Sequence, residues 1–153
     1  MSVNRGKQFE EIVRKSFEKV PDTSVIRLHD QTNGFAGSTN PCDFIVYHYP
    51  NMYAIECKSV HGNTLPFSHI SDNQWKGLDK LSKIKGVMAG VLCWWVDKDV
   101  TRFIQIGILN GLKENGLKSI RYDNALGKLI NGKKKRVFFD SDMEDLVKWS
   151  LKI

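Results

Sequence analysis

Apolar residues recur at Phe9, Ile12, Val13 and Phe17 within residues 4–19 (NRGKQFEEIVRKSFEK), near the spacing of one helix face. Asn4 stands where an N-cap belongs, and Pro21-Asp22 ends the helix. Residues 25–29 then predict a short strand. The stretch 30–41, DQTNGFAGSTNP, is rich in Gly, Asn, Ser and Thr and reads as a long exposed loop, of the kind that tends to carry function. Residues 43–49 (DFIVYHY) and 52–60 (MYAIECKSV) are β-branched and aromatic, and Pro50-Asn51 between them predicts a hairpin turn.

Residues 61–69 read as a second loop. Ser71 is placed to cap a helix through DNQWKGLDKLSK, with Ile70, Gln74, Trp75, Leu78 and Leu81 roughly on one side. Gly86 opens the apolar run GVMAGVLCWWV, which predicts a buried strand. Residues 101–108 (TRFIQIGI) predict its hairpin partner across Asp97-Lys98-Asp99, and Lys113 and Glu114 a short helix ending at Gly116. Further on, Asn131-Gly132 signals a turn, Lys133-Lys134-Lys135-Arg136 a basic run, residues 137–139 a strand, and Asp140 or Ser141 the cap of a final helix. With no repeat or linker, residues 1–153 read as a single α/β domain with layers of helix and sheet.

Composition narrows the class. Hydrophobic residues make up 41% and charged residues 26% of the 153, which suits one globular domain with a real core. The net charge is +6, from 23 Lys and Arg against 17 Asp and Glu, and suits a polyanionic partner. Colloidal solubility accounts for that charge as well. Cys42, Cys57 and Cys93 form no CxxC and no zinc or disulfide framework, so reduced thiols inside a cell are expected. Strand alternation points Cys42 and Cys57 into the core, opposite the polar face. The opening MSVNRGKQFEE has no apolar core of an export signal, and 87–96 is too short to span a bilayer. A cytoplasmic protein without membrane partners is the expectation.

Chemistry enters at Asp43 and Glu56-Cys57-Lys58. In an antiparallel hairpin the start of the first strand lies beside the end of the second, so Asp43 approaches Glu56. Residues 56 and 58 share a face. Two carboxylates that close repel unless a cation separates them, and Mg²⁺ suits such oxygen ligands with water and phosphate. From the spacing alone, an exposed cross-strand ion pair is the commoner outcome. Three features favour a site: the core-like strands around the acids, a further carboxylate from Glu10 or Glu11, and the hydroxyls and amides of Ser38, Thr39, Asn40, Ser59, Asn63 and Thr64, which suit phosphate contacts. Arg5, Lys7, Lys76, Lys80, Lys83 and Lys85 extend a basic surface around it.

The segments NRGKQFEE, GSTNPCDFIVY, AIECKS, TLPFSHISDNQ and GVMAGVLCWW occur in an order that resembles the PD-(D/E)xK nuclease superfamily, and within it Holliday-junction resolvases of the RecU type, as a phage-encoded relative would. The resemblance spans the first two-thirds of the chain. It implies a restriction-endonuclease-like core, a central mixed β-sheet flanked by helices, homodimerisation, and Mg²⁺ or Mn²⁺ dependence. It also implies paired incision of four-way DNA junctions in the host cytoplasm. By position, Asp43 and Glu56 become metal ligands, joined by the Cys57 carbonyl, and Lys58 the catalytic lysine. The RGxxxE pattern of archaeal resolvases selects Glu10 over Glu11. Gln74 matches a polar position near the metal water or phosphate, and Ser38 and Thr64 match backbone contacts. The terse Pro41-Cys42-Asp43 departs from the RecU pattern and leaves any junction-penetrating insert in doubt.

Blander readings stand beside these. Gln74 reads equally as a solvated helix residue. Trp75, Trp94 and Trp95 read as core and dimer contacts before stacking platforms. His29, His48, His61 and His69 show no metal-binding spacing. Two rival functions remain open: a site-specific or repair endonuclease on the same fold, and a non-catalytic basic DNA-binding module whose acids form a surface ion pair.

Overall fold

The computed structural model describes residues 4–29 and 40–130. Ser38 and Thr39, the basic run 133–136 and the readings of residues 131–153 lie outside the described residues.

Helix α1 (Arg5–Glu18) begins at Asn4, whose side chain accepts a hydrogen bond from the Lys7 N–H. The predicted apolar stripe is the buried one: Phe9, Ile12, Val13 and Phe17. Strands β1 (Ser24–Arg27), β2 (Phe44–His48) and β3 (Asn51–Val60) follow as an antiparallel meander. His48 pairs with Asn51, so the β2–β3 turn sits at Tyr49-Pro50, one residue earlier than the sequence predicts. Helix α2 (Asp72–Ser82) then leads to β5 (Val87–Trp95), which pairs in parallel with β3. An antiparallel partner, β6 (Val100–Gln105), and an edge strand, β8 (Lys128–Ile130), complete a six-stranded mixed sheet in the order β1-β2-β3-β5-β6-β8.

Both faces of this sheet are covered. On one, α1 packs Phe9, Val13 and Phe17 against Phe44, Tyr53, Ile55, Leu92 and Trp94. On the other, Leu78 of α2 and Ile106 and Leu109 of α3 (Ile106–Glu114) pack against Ala54, Val91, Cys93 and Trp95. A continuous apolar run is what a central strand buried on both faces requires. Trp94 and Trp95 are both fully buried, one under each layer, as strand alternation dictates.

Two elements differ from expectation. The strand predicted over 101–108 stops at Gln105, and α3 begins at Ile106. Ile104, Ile106 and Ile108 alternate as in a strand, but Ile106, Leu109 and Leu112 also lie at helical spacing, and packing on α2 selects the helix. The loop predicted over 61–69 contains β4 (Thr64–Pro66), which pairs with β7 (Ser119–Arg121) in a separate two-stranded sheet, and a 3-10 turn, Phe67–His69. Such a pairing, across more than fifty residues, leaves no local pattern.

Among the described residues no helix is long and apolar enough to cross a membrane.

Candidate active site at the end of the β2–β3 hairpin

Asp43 lies one residue before β2. Its N–H donates to the Ile55 carbonyl at 3.0 Å, and its own carbonyl accepts from the Leu28 N–H at 2.8 Å. These bonds continue both ladders and fix the backbone. The Asp43 side chain then takes the place of a further ladder partner: its Oδ2 accepts from the Cys57 N–H at 2.9 Å. Along a strand, one residue's N–H and C=O point to the same side. The Cys57 carbonyl therefore also faces the Asp43 side of β3.

Glu56 projects to the α2 face and is 3% exposed. Its Oε2 lies 3.0 Å from Lys58 Nζ and accepts from Gln74 Nε2 at 2.9 Å. Burial, and next the neighbouring Asp43 carboxylate, push the Glu56 carboxyl up to about 7, against the opposing pull of Lys58. An exposed surface ion pair, the commoner outcome for this spacing, is thus not what forms.

Gln74 is held by the start of α2. The Ser71 hydroxyl accepts from the Gln74 N–H at 3.1 Å, and Gln74 Oε1 accepts from the Ser71 N–H at 3.1 Å, a reciprocal cap. The same Oε1 accepts from Lys58 Nζ at 3.4 Å. One amide therefore joins the helix cap, the carboxyl and the ammonium; it is not a solvated helix residue. Gln74→Ala is expected to cost about 2 kcal/mol, more than the roughly 1 kcal/mol of Ser71→Ala, because it also strips a donor from a buried carboxyl. Urea unfolding of the two variants compares them, and equal costs would show that the bridge to Glu56 contributes nothing.

The structure separates the two candidate helix carboxylates. Glu11 faces solvent, paired with Arg14 and Lys15. Glu10 is half-buried, and burial followed by the Asp43 carboxylate raises its pKa, against the lowering effect of Arg27. Arg27 comes within 3.0 Å of Glu10, without the alignment of a hydrogen bond, and its guanidinium lies 5.6 Å from the Phe44 ring centre. Sequence reasoning missed Arg27. Only the β1–β2 register, which sets Arg27 opposite Phe44, carries it to Glu10.

The remaining predicted residues divide. Arg5 donates to Gln8 Oε1 at 2.8 Å, and its guanidinium lies 6.0 Å from the Trp94 ring centre; Lys7 is exposed beside it. Ser59 points its hydroxyl toward Gly6 at the start of α1, on the face opposite Lys58. Thr64 lies on β4 opposite Arg121, and Lys76 is exposed on α2. Cys42 and Cys57 are both buried, but under different layers. Cys57 faces α1, while Cys42 packs on the α2 side, the face that Glu56 also occupies, so the expected common orientation is corrected. Cys42 precedes β2 and escapes its alternation. Burial raises both thiols, Cys42 to about 12, which makes them poor nucleophiles.

The donor set fits a hard divalent cation: a backbone carbonyl and two carboxylates, all oxygen, of which the Glu56 carboxyl is costly to ionise unpaired. Among the described residues no three His, Cys, Asp or Glu side chains form a ready-made cluster. Glu10 sits against Arg27, so the carboxylate share of such a site rests on Asp43 and Glu56.

No family model matches the chain, and no curated protein matches it. Solved structures match, among them Hjc, a Holliday junction resolvase from the archaeal hyperthermophile Archaeoglobus fulgidus. That match is 22% identical, covers 68% of this chain and 75% of that one, and has a TM-score of 0.49. At that distance the likeness assigns neither a substrate nor site residues to this chain.

Proposed function

We propose that this chain is a metal-dependent DNA endonuclease of restriction-endonuclease-like fold that acts as a homodimer on four-way junctions. The observation that carries the nuclease reading is Glu56: a carboxyl 3% exposed, beside Asp43, with Lys58 and Gln74 on one oxygen. Replacing such a buried set as a whole by apolar side chains is often neutral or stabilising, so stability alone does not account for it. Buried titratable groups with strongly shifted pKa, gathered at one sheet end, mark a working site.

Asp43, Glu56 and the Cys57 carbonyl would hold Mg²⁺, with Mn²⁺ as a substitute. The ion held by these residues would supply Lewis-acid polarisation of a phosphodiester and a lowered pKa for the attacking water. Lys58 contributes a cation at the same point, able to order the attacking water and to offset charge on the phosphate oxygens. Gln74 keeps Lys58 and Glu56 in register. The basic balance of +6 and the cations Arg5, Lys7 and Lys76 provide sequence-independent attraction to the DNA backbone.

The branched substrate rests on the resemblance of the RGKQFE, ECKS and TLPF-to-Gln74 segments to junction resolvases, and the dimer on symmetry, since two matched cuts call for a two-fold enzyme. Cleavage of four-way junction, fork and linear duplex, with and without Mg²⁺, is expected to show paired symmetric nicks in the junction only with metal. Preference for linear duplex would reject the resolvase reading in favour of a site-specific or repair nuclease. Calorimetric titration with Mn²⁺ is expected to show binding that Asp43→Asn abolishes; no binding by wild type would favour a non-catalytic module.

A further inference from the structure

A cavity of about 780 Å³ opens between the start of α2 and the end of α3, lined in part by Phe67, Ser71, Trp75, Lys113, Leu117 and Lys118. We propose that it takes an unstacked nucleotide from a single-stranded segment of the DNA held at Glu56 and Lys58. This rests on the nuclease reading and adds a substrate feature to it.

The volume lies in the range of small-ligand sites, and the wall chemistry is that of a stacked base with its phosphate. Trp75 is half-buried and its ring is fixed in place. Its Nε1–H donates to Asn110 Oδ1, and Asn110 Nδ2 donates to Asp79 Oδ1 at 2.9 Å, so α2 and α3 jointly set the indole plane. Phe67 meets the indole edge-on at 5.7 Å between ring centres. The Phe67 N–H donates to the Lys118 carbonyl at 2.9 Å, which holds Lys118 at the rim. An aromatic surface held rigid before binding loses little entropy when a base stacks on it.

The rim has the matching charge. Lys113 and Lys118 stand against the single carboxylate of Asp72. Lys113 Nζ lies 4.5 Å from the Trp75 ring centre and covers that ring. Its flexible stem lets the ammonium leave the ring for a phosphate while a base takes its place. Stacking on an aromatic face with a phosphate-binding cation accepts any base.

The cavity also joins the candidate active site. Ser71 lines it, and the Ser71 N–H donates to Gln74 Oε1, while Gln74 Nε2 donates to Glu56 Oε2. A strand crossing from Glu56 to the cavity passes over this cap.

Binding of twelve-residue oligothymidylate and of a duplex of equal length, in EDTA so that nothing is cut, tests the assignment on the full chain. Oligothymidylate is expected to quench tryptophan fluorescence, and Trp75→Leu to weaken its binding about tenfold with duplex affinity unchanged. The surface double variant Lys113→Ala, Lys118→Ala keeps the fold in question apart from the site. It is expected to lower the salt dependence of oligothymidylate binding by about 1.4 in log–log slope. Unchanged oligothymidylate affinity in both variants overturns the cavity assignment. Quenching by a glutamate-rich peptide but not by oligothymidylate overturns it also, in favour of a protein partner. If Trp75 and the lysines pass these tests while no DNA is cut with Mg²⁺, the cavity stands and the nuclease reading falls. If metal-dependent cleavage is present but the variants bind normally, the reverse holds.

Discussion

Glu56→Gln is expected to reduce phosphodiester cleavage by about 10³-fold or more while raising the melting temperature of the metal-free protein. On the proposed reading Glu56 would help hold the metal, and losing such a carboxylate removes several kcal/mol of transition-state stabilisation, each 1.36 kcal/mol being a factor of ten in rate. The opposite effect on stability follows from burial. The unfolded carboxyl ionises near 4.5, whereas in the fold it is pushed up to about 7 by desolvation and by Asp43. Below 4.5 both states are neutral and the group costs nothing. Between 4.5 and about 7 the unfolded chain releases its proton first, so stability falls as pH rises, and above about 7 the loss is complete. The full interval corresponds to about 3 kcal/mol. Gln keeps the shape without the charge, so it recovers roughly 1–3 kcal/mol above pH 7, which for a chain of this length is several degrees. Thermal melts in EDTA from pH 4.5 to 8 test this: the wild type should lose stability across that range more steeply than the variant. Parallel curves, or retained Mg²⁺-dependent cutting by the variant, would contradict the assignment.

Gly90→Ala is expected to destabilise the fold by about 3 kcal/mol, a fall in melting temperature on the order of 10 °C. Gly90 lies in β5 opposite Gln105, where β6 ends and α3 begins. A Cβ there would stand 2.3 Å from the Ile104 carbonyl oxygen, 2.9 Å from its carbon and 3.0 Å from the Gln105 Cα. All three are backbone atoms, so no side-chain rotation relieves the overlap. Ala would ordinarily gain up to about 1 kcal/mol over Gly within a strand, and the clash reverses that sign. Gly107→Ala is the control, because a Cβ there meets nothing within 4 Å. A Gly90→Ala protein as stable as that control would show that the β5–β6 approach is loose.

Much of the architecture was legible from neighbouring residues. The Asn4 cap and the Phe9, Val13, Phe17 stripe define α1, and Ser71 with Gln74 defines the start of α2, because these signals act within one helical turn. The β2–β3 hairpin and the approach of Asp43 to Glu56-x-Lys58 follow from strand period and one turn, even with the turn displaced by a residue. The burial of Glu56 was not legible. It depends on β5 on one side and α2 above, which bring Gln74 onto its carboxyl.

Local pattern is enough to bring Asp43, Glu56 and Lys58 together at the end of the β2–β3 hairpin, through period-two alternation and a short connection. Packing between distant segments sets the character of that meeting. Layers packed on both faces convert a common surface ion pair into a buried carboxyl pushed up to about 7. The β1–β2 register turns Arg27 onto Glu10, and the closure of α3 on α2 shapes a cavity around Trp75. Hydrogen bonding and periodicity act between near neighbours, whereas desolvation depends on which distant segments share a core.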